Sequence, residues 1–487
     1  MKKLFSSTIL LTLGLGLLTG MVSCGGGDGP NDNPDKPQPD KPSKKYDLTY
    51  RSWDLGTEKA NNEERKLVKK FEELHNVKIK IVENAGSGNA YWDGIRASVT
   101  TKIDLADVMM IPNMDWPLKS NFLADVKDLA EADPEFQNVP TSIKDACTFK
   151  NGVYALPARM NLQGYFLNTT VAERDLNLVE AADYSVNSEY SIIKDIIGAA
   201  DANPQIVGLD SAAHFIDTQA SVYDTTGKQG YFTWDGEQYH LDEEPFIKGV
   251  QEAAALYDAG KTLDSYDDEK RLALGLDPEV PANVDAWNKQ KLVLRYGYTY
   301  EIPDMLENNS LNSSYKFIGN PGGKISIVGD YYGIYKDTKN RELAYEFAKF
   351  MSFGIEGFRH RMDLYADKGA MNSLPLTNDQ DLIDEYFRLY GSTTYMSGLE
   401  DAFEYIKDKS MVEGVKVVPG YLQARQNKKT GVDLSEQMKN VSMFDLLDAC
   451  YKSGKNIADY TSGTINIDTM ADKTYTDWLA KYGEQYK

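Results

Sequence analysis

The stretch from residue 47 to residue 111 constrains the fold more than any other. Asp47 to Trp53 alternates along the chain and reads as a strand. Glu63 to Leu74 sets Leu67, Val68, Phe71 and Leu74 on one face of an amphipathic helix. Val77, Ile79 and Ile81 alternate with Lys78 and Lys80, a second strand. Tyr91 to Ile103 reads as helix. Ala106 to Ile111 is a continuous apolar run, as in a strand buried on both faces. Strand, helix, strand, helix, strand predicts an α/β fold with a parallel sheet and right-handed crossovers. Ligands of such sheets bind beyond the carboxyl ends of the strands. Those ends carry Trp53 and Asp54, and then Asn113, Asp115 and Trp116.

A second informative stretch is 151–168. It opens on the turn signal Asn151-Gly152 and meets Pro157, which is expected to break a strand. Arg159, Asn161, Gln163 and Tyr165 follow, and the apolar strand resumes over Tyr165 to Leu167. This reads as a crossing between two structural units, with polar groups that either line a cleft or lie on a solvated edge. Beyond it, Ser188–Ala202 and Pro245–Tyr257 read as helices, and Gly230–His240 is rich in turns and holds Trp234. Leu292–Arg295 is a strand that runs into Tyr296, Tyr298 and Tyr300, which alternate. Tyr315–Gly319 and Ile325–Tyr335 read as strands and Asn340–Ser352 as a helix. Residues 369–375 form a turn, and the remainder to Lys487 reads mostly as helix.

The 487 residues suffice for two or three domains. A net charge of -21 argues against a nucleic-acid partner, which needs a basic footprint. Lys2 and Lys3, the apolar run Ile9–Leu18 and the sequence Met21-Val-Ser-Cys24 read as an export signal over residues 1–23. The small residue before Cys24 resembles the lipobox of bacterial lipoproteins, although Met21 stands where Leu is usual. Residues 24–45, rich in Gly and Pro, read as a tether that cannot bury a core. The folded body, 46–487, is then expected outside the cytoplasm, anchored to the membrane by lipid on Cys24. Cys147 and Cys450 form one disulfide or remain buried thiols.

Taken in order, the segments resemble the extracellular solute-binding proteins of sugar-type ABC importers, the group that includes maltodextrin-binding proteins. The resemblance rests on the lipobox, Trp53 before a helix through Lys70-Phe71, Ala106-Asp-Val, and Asn151-Gly-Val-Tyr-Ala-Leu-Pro157 with Tyr165-Phe-Leu-Asn168. It continues through Trp287-Asn-Lys-Gln-Lys-Leu-Val-Leu294, Gly319-Asn-Pro-Gly-Gly323 and Arg341–Phe350. It implies a two-lobed periplasmic-binding-protein fold of type II with ligand in the cleft and closure by hinge motion. Residues 46–157 with 322–372 would form one lobe, and 158–321 with 373–487 the other. The implied partners are a carbohydrate ligand and ABC permease subunits, with the protein itself a monomer.

A sugar presents C–H faces, which suit aromatic planes, and hydroxyls, which suit planar polar side chains. The candidate contacts are Trp53, Asn113, Asp115, Trp116, Arg159, Asn161, Gln163, Tyr298, Tyr300, Tyr331, Tyr332 and Asn372. Each has a plain structural alternative. Trp53 could be core, and Asp115 could cap a helix opened by Trp116 and Pro117. Tyr331 and Tyr332 point to opposite faces, so at most one reaches the cleft. Tyr91, Trp92 and Trp234 read as core or rim. No metal or other cofactor is expected, since His75, His214, His240 and His360 are too far apart for a local metal pair. Ser191-Ile-Ile-Lys194 and Lys429-Thr-Gly431 resemble the motifs of penicillin-interacting enzymes, but no Ser-Asp-Asn element lies between them. The expectation is therefore a binder, not an enzyme. A sensory lipoprotein of the same fold and a surface glycoside hydrolase remain as alternatives.

Overall fold

The first three strands form in parallel, as the alternation predicts. They are β1 (Leu48–Arg51), β2 (Ile79–Ile81) and β3 (Val108–Ile111), with β1 between the other two. The computed structural model describes residues 46–57, 59–83, 88–368, 371, 373–390, 395–413, 451–452 and 467–486. The helix Glu63–His75 starts where the Asn62 side chain accepts from the Arg65 N–H, and it ends at Asn76, left-handed at φ 52°. Leu67, Val68 and Phe71 are its buried face. The second helix, Asn89–Thr101, begins two residues before the predicted start.

The remaining strands are β4 (Thr148–Phe149), β5 (Gly152–Val153), β6 (Leu156–Asn168), β7 (Val207–Leu209), β8 (Leu292–Tyr298), β9 (Tyr315–Gly319), β10 (Ile325–Ile334), β11 (Met396–Ser397) and β12 (Ser410–Val412). β4 and β5 pair as a small hairpin. The main sheet runs β11-β9-β6-β10-β3-β1-β2, with β8 also on β6, β7 on β8 and β12 on β10. β6 and β10 are its two long members. β10 lies antiparallel to both β3 and β6.

β6 corrects the expectation of a break at Pro157. It is one strand of 13 residues, buried throughout. Pro157 lies opposite Tyr331 and Arg159 opposite Asp330, so Ala158 is the extra residue of a bulge. A bulge interrupts the ladder locally, and there the missing proline N–H is tolerated. Nearer its other end, Gly164 meets β9. A Cβ on Gly164 would stand 2.6 Å from the Cα of Gly319.

Two apolar clusters flank the sheet. The first gathers Leu48, Phe71, Val108 and Phe347, and the second Ile193, Leu209, Val250 and Leu294. β6 feeds both, with Leu156, Met160, Leu162 and Phe166 in the first and Tyr165 and Leu167 in the second. Trp287, Phe317, Tyr386 and Phe403 also join the first cluster. Cys147 is a free, buried thiol, and burial pushes its pKa up. Cys24 and Cys450 lie outside the described residues, as does most of the C-terminal stretch expected to be helical. Among the described residues, no helix is long and apolar enough to cross a membrane.

Candidate ligand-binding site

Side chains alternate along a strand, so Arg159, Asn161, Gln163 and Tyr165 share one face of β6. The register sets Asp330 opposite Arg159, Val328 opposite Asn161, and Ser326 opposite Gln163 on β10. On the other side, Tyr298 lies opposite Gln163 and Tyr296 opposite Tyr165 on β8. One sheet face thus carries a polar and aromatic row, and its exposure varies along the row.

Arg159 is buried. Its guanidinium lies 2.9 Å from both Asp54 and Glu64. Glu64 also takes Arg361, which in turn donates to the Met351 carbonyl at 2.7 Å. Burial works against the Glu64 carboxylate, but Arg361 and then Arg159 outweigh it and hold its pKa below the usual range. Burial raises Asp54, with Arg159 opposing and Glu64 and Asp330 adding. The Arg159 side chain is therefore committed to tying β6 to the helices Glu63–His75 and Ile355–Tyr365. This corrects its assignment as a free ligand contact.

Asn161 and Gln163 are nearly buried, and their polar atoms fare differently. Asn161 Oδ1 accepts from the Thr299 hydroxyl at 3.1 Å, and Thr299 Oγ1 accepts from the Leu162 N–H at 2.9 Å. Gln163 Oε1 is buried with no hydrogen-bond partner among the described residues, as is Ser326 Oγ across the ladder. Buried polar atoms are rarely left so, and a bound hydroxyl or water would satisfy both. Beside them, the Tyr298 and Tyr300 rings stack at 5.0 Å and 13°. Tyr300 is 44% exposed. Burial, then Glu301, Glu413 and Asp330, push the Tyr300 phenol up to about 12.

Trp53 opens a short 3₁₀ turn after β1 and stays half-buried, edge-on to Tyr91 at 5.1 Å. Trp116 is also half-buried, 6.2 Å from Trp92 and 5.3 Å from Phe122. These rings follow one another along the carboxyl ends of β1 and β3. Asn113 and Asp115 stand half-buried on the turn after β3. Asp115 is the first residue of the helix Asp115–Lys119, whose cap is Met114, so it is not the cap that the sequence allowed. Asp330 links the two neighbourhoods, because Asp54 and Tyr91 feel its charge on one side and Tyr300 on the other.

Tyr331 and Tyr332 are each 1% exposed, and the Tyr332 hydroxyl lies 3.1 Å from that of Tyr50. Both are core, joining the first apolar cluster where β10 pairs with β3. Asn372 lies outside the described residues. Thr299, Asp330 and Glu413 escaped the sequence reading, which did place Asp54 at the end of the first strand. The signal for Asp330 was an acid inside the otherwise apolar run Ile325–Ile334. Among the described residues no group of three or more His, Cys, Asp or Glu side chains could hold a metal.

The sequence matches the family described as bacterial extracellular solute-binding protein over residues 66–367, more than half of the chain. No curated protein matches it. Among solved structures it is similar to an ABC substrate-binding protein of Listeria monocytogenes in complex with cycloalternan, at 12% identity and TM-score 0.59, covering 90% of this chain and 98% of that one. A solute-binding protein of Thermotoga lettingae bound with alpha-D-tagatose gives 13% and 0.58, covering 89% and 99%. The GacH receptor of Streptomyces glaucescens, solved unliganded and with acarbose, gives 15% and 0.55, covering 90% and 99%. At these identities the likeness carries the fold, the two-lobed α/β architecture of such proteins.

Proposed function

The chain belongs to the bacterial extracellular solute-binding protein family, and on that premise we propose that it captures a carbohydrate outside the cell and delivers it to the permease of an ABC importer. The observation that carries this reading is the row on one sheet face: planar amides at Asn161 and Gln163 beside the stacked Tyr298 and Tyr300. Amides suit ring hydroxyls and tyrosine faces suit ring C–H. Gln163 Oε1, which has no hydrogen-bond partner among the described residues, is an acceptor that a ligand hydroxyl would satisfy. Trp53, Trp116, Asn113 and Asp115 would extend the surface along the ends of β1 and β3, enough for an oligosaccharide. The sugars named with the solved neighbours add support.

In this reading, 46–157 with 322–372 and 158–321 with 373–487 are the two lobes, and β6 is the first crossing. Residues 1–23 are removed, Cys24 carries the lipid, and 24–45 tethers a monomeric body to the outer face of the membrane. The protein binds without turnover. Calorimetry against an oligosaccharide panel should find a saturable ligand that remains uncleaved. Release of shorter sugars on incubation, or unchanged uptake of that ligand in cells lacking the protein, would sink the transport reading.

A further inference from the structure

A crevice of about 590 Å³ shares no lining residue with the row just described, and reaches its neighbourhood through Met411, which pairs with Ser326. That volume is within the range of small-molecule sites, about 300–1,000 Å³. One wall is the helix Thr141–Ala146 with the β4–β5 hairpin. The opposite wall is the turn from Lys228 to Gly236. Lys324, β12 and Tyr475 complete it.

The turn that forms the second wall is strained. Phe232 and Thr233 both hold positive φ, 51° and 64°. Such backbone is rare for any residue with a side chain and more so for β-branched threonine. It persists here because the surroundings clamp it. The Gly230 N–H donates to the Trp234 carbonyl at 2.9 Å, and the His240 N–H donates to Thr233 Oγ1 at 2.9 Å. The His240 ring bridges Asp235 at 2.8 Å and Glu243 at 2.9 Å. The outcome is that Trp234 stands half-buried in the crevice wall, with Tyr475 edge-on at 4.8 Å. Backbone held in such a conformation is concentrated where a side chain must be presented to a ligand.

Three lysines, Lys150, Lys228 and Lys324, and two aspartates, Asp145 and Asp235, line the crevice in a protein of net charge -21, and Lys150 Nζ donates to the Gly483 carbonyl. Lys324 is half-buried, and among the described residues its ammonium, which has three donors, donates to the Gln229 carbonyl at 2.8 Å. Burial lowers its pKa, with Asp224 opposing. Of the two carboxylates in the lining, Asp235 is occupied by His240 and by the N–H groups of Glu237 and Gln238.

We propose that this crevice is a second ligand site, separate from the oligosaccharide row, that takes a carboxylated monosaccharide of the uronic acid class. The carboxylate would meet Lys324, with Lys228 adding charge, and the C–H face of the ring would lie on Trp234. This site does not depend on the function proposed above, and its failure would leave that function standing.

The test is calorimetry of the intact protein at low salt with galacturonate and glucuronate, against galactose and glucose. A uronate should bind saturably, and its neutral counterpart at least tenfold more weakly. Lys324→Met and Trp234→Ala should each weaken the uronate tenfold or more. Lys324→Arg should retain most of the affinity, and Asn161→Ala should leave it unchanged. Lys228→Gln, at an exposed position that does not threaten folding, should weaken binding severalfold, and so should added salt. Absence of saturable uronate binding overturns the proposal. So does equal binding of the neutral sugar, or loss with Asn161→Ala while Lys228→Gln has no effect.

Discussion

Glu64 and Asp210 are both buried carboxylates, 4% and 7% exposed, and they meet burial in opposite ways. Glu64 faces two guanidinium groups, and its pKa is held low. Asp210, just after β7, accepts instead from the N–H groups of Ser211 at 2.9 Å and Tyr296 at 3.2 Å. Burial pushes Asp210 up to about 7, the two N–H groups and Arg295 oppose it, and Asp264 adds to it. Two fixed cations outweigh desolvation, and two backbone dipoles do not. The stability linked to each group therefore runs in opposite directions with pH. For Glu64 it is present above the unfolded value, about 4.3, and is lost as pH falls through the lowered folded value. For Asp210 it is complete below about 3.9 and is lost as pH rises through about 7.

The largest effect expected is at Glu64. Glu64→Gln leaves Arg361 buried without its counter-charge, and urea denaturation at pH 7 should show a loss of about 3–5 kcal/mol. Pairing Glu64→Met with Arg361→Met should recover most of it, since apolar replacement of a whole buried pair is often near neutral. A double variant no better than the single would break the contrast with Asp210. Asp210→Asn should have the opposite sign. At pH 8 it should stabilise the protein by about 1–4 kcal/mol, and at pH 4 the difference should vanish. A gain that is flat across that range would mean packing rather than charge. Gly164→Ala supplies the pH-independent reference, costing about 1–3 kcal/mol by forcing β6 off Gly319 at every pH. The smallest stability effect belongs to Tyr300→Ala, within about 0.5 kcal/mol because the ring is exposed. Its effect should appear in calorimetry instead, as about 1 kcal/mol of lost affinity for the true oligosaccharide.

The order of elements from 47 to 111 was legible because period and burial agree there. Val108 to Ile111 is apolar at every position and is buried at every position. β6 was half legible. Alternation correctly put Arg159, Asn161 and Gln163 on one face, but alternation says nothing about what covers that face. For Arg159 the cover is Asp54 and Glu64, which arrive from about a hundred residues earlier in the chain. Pro157 misled for a related reason, because the strain a proline introduces depends on whether its neighbour needs that N–H, and a bulge in the register removes the need. Tyr331 and Tyr332 were misjudged because two adjacent aromatics in a strand can both be core when apolar packing covers both faces of the sheet. Trp234, set aside as core or rim, owes its place to Phe232 and Thr233, whose left-handed backbone no composition rule foretells.

The double membership of β6 reaches beyond the site. Its side chains enter both apolar clusters within one uninterrupted run of backbone. Neither cluster can then melt while the other keeps its full complement of contacts. A tear begun in one must either propagate along β6 or strip the other of Tyr165 and Leu167. β6 therefore couples the two cores, and loss of either is expected to weaken the other.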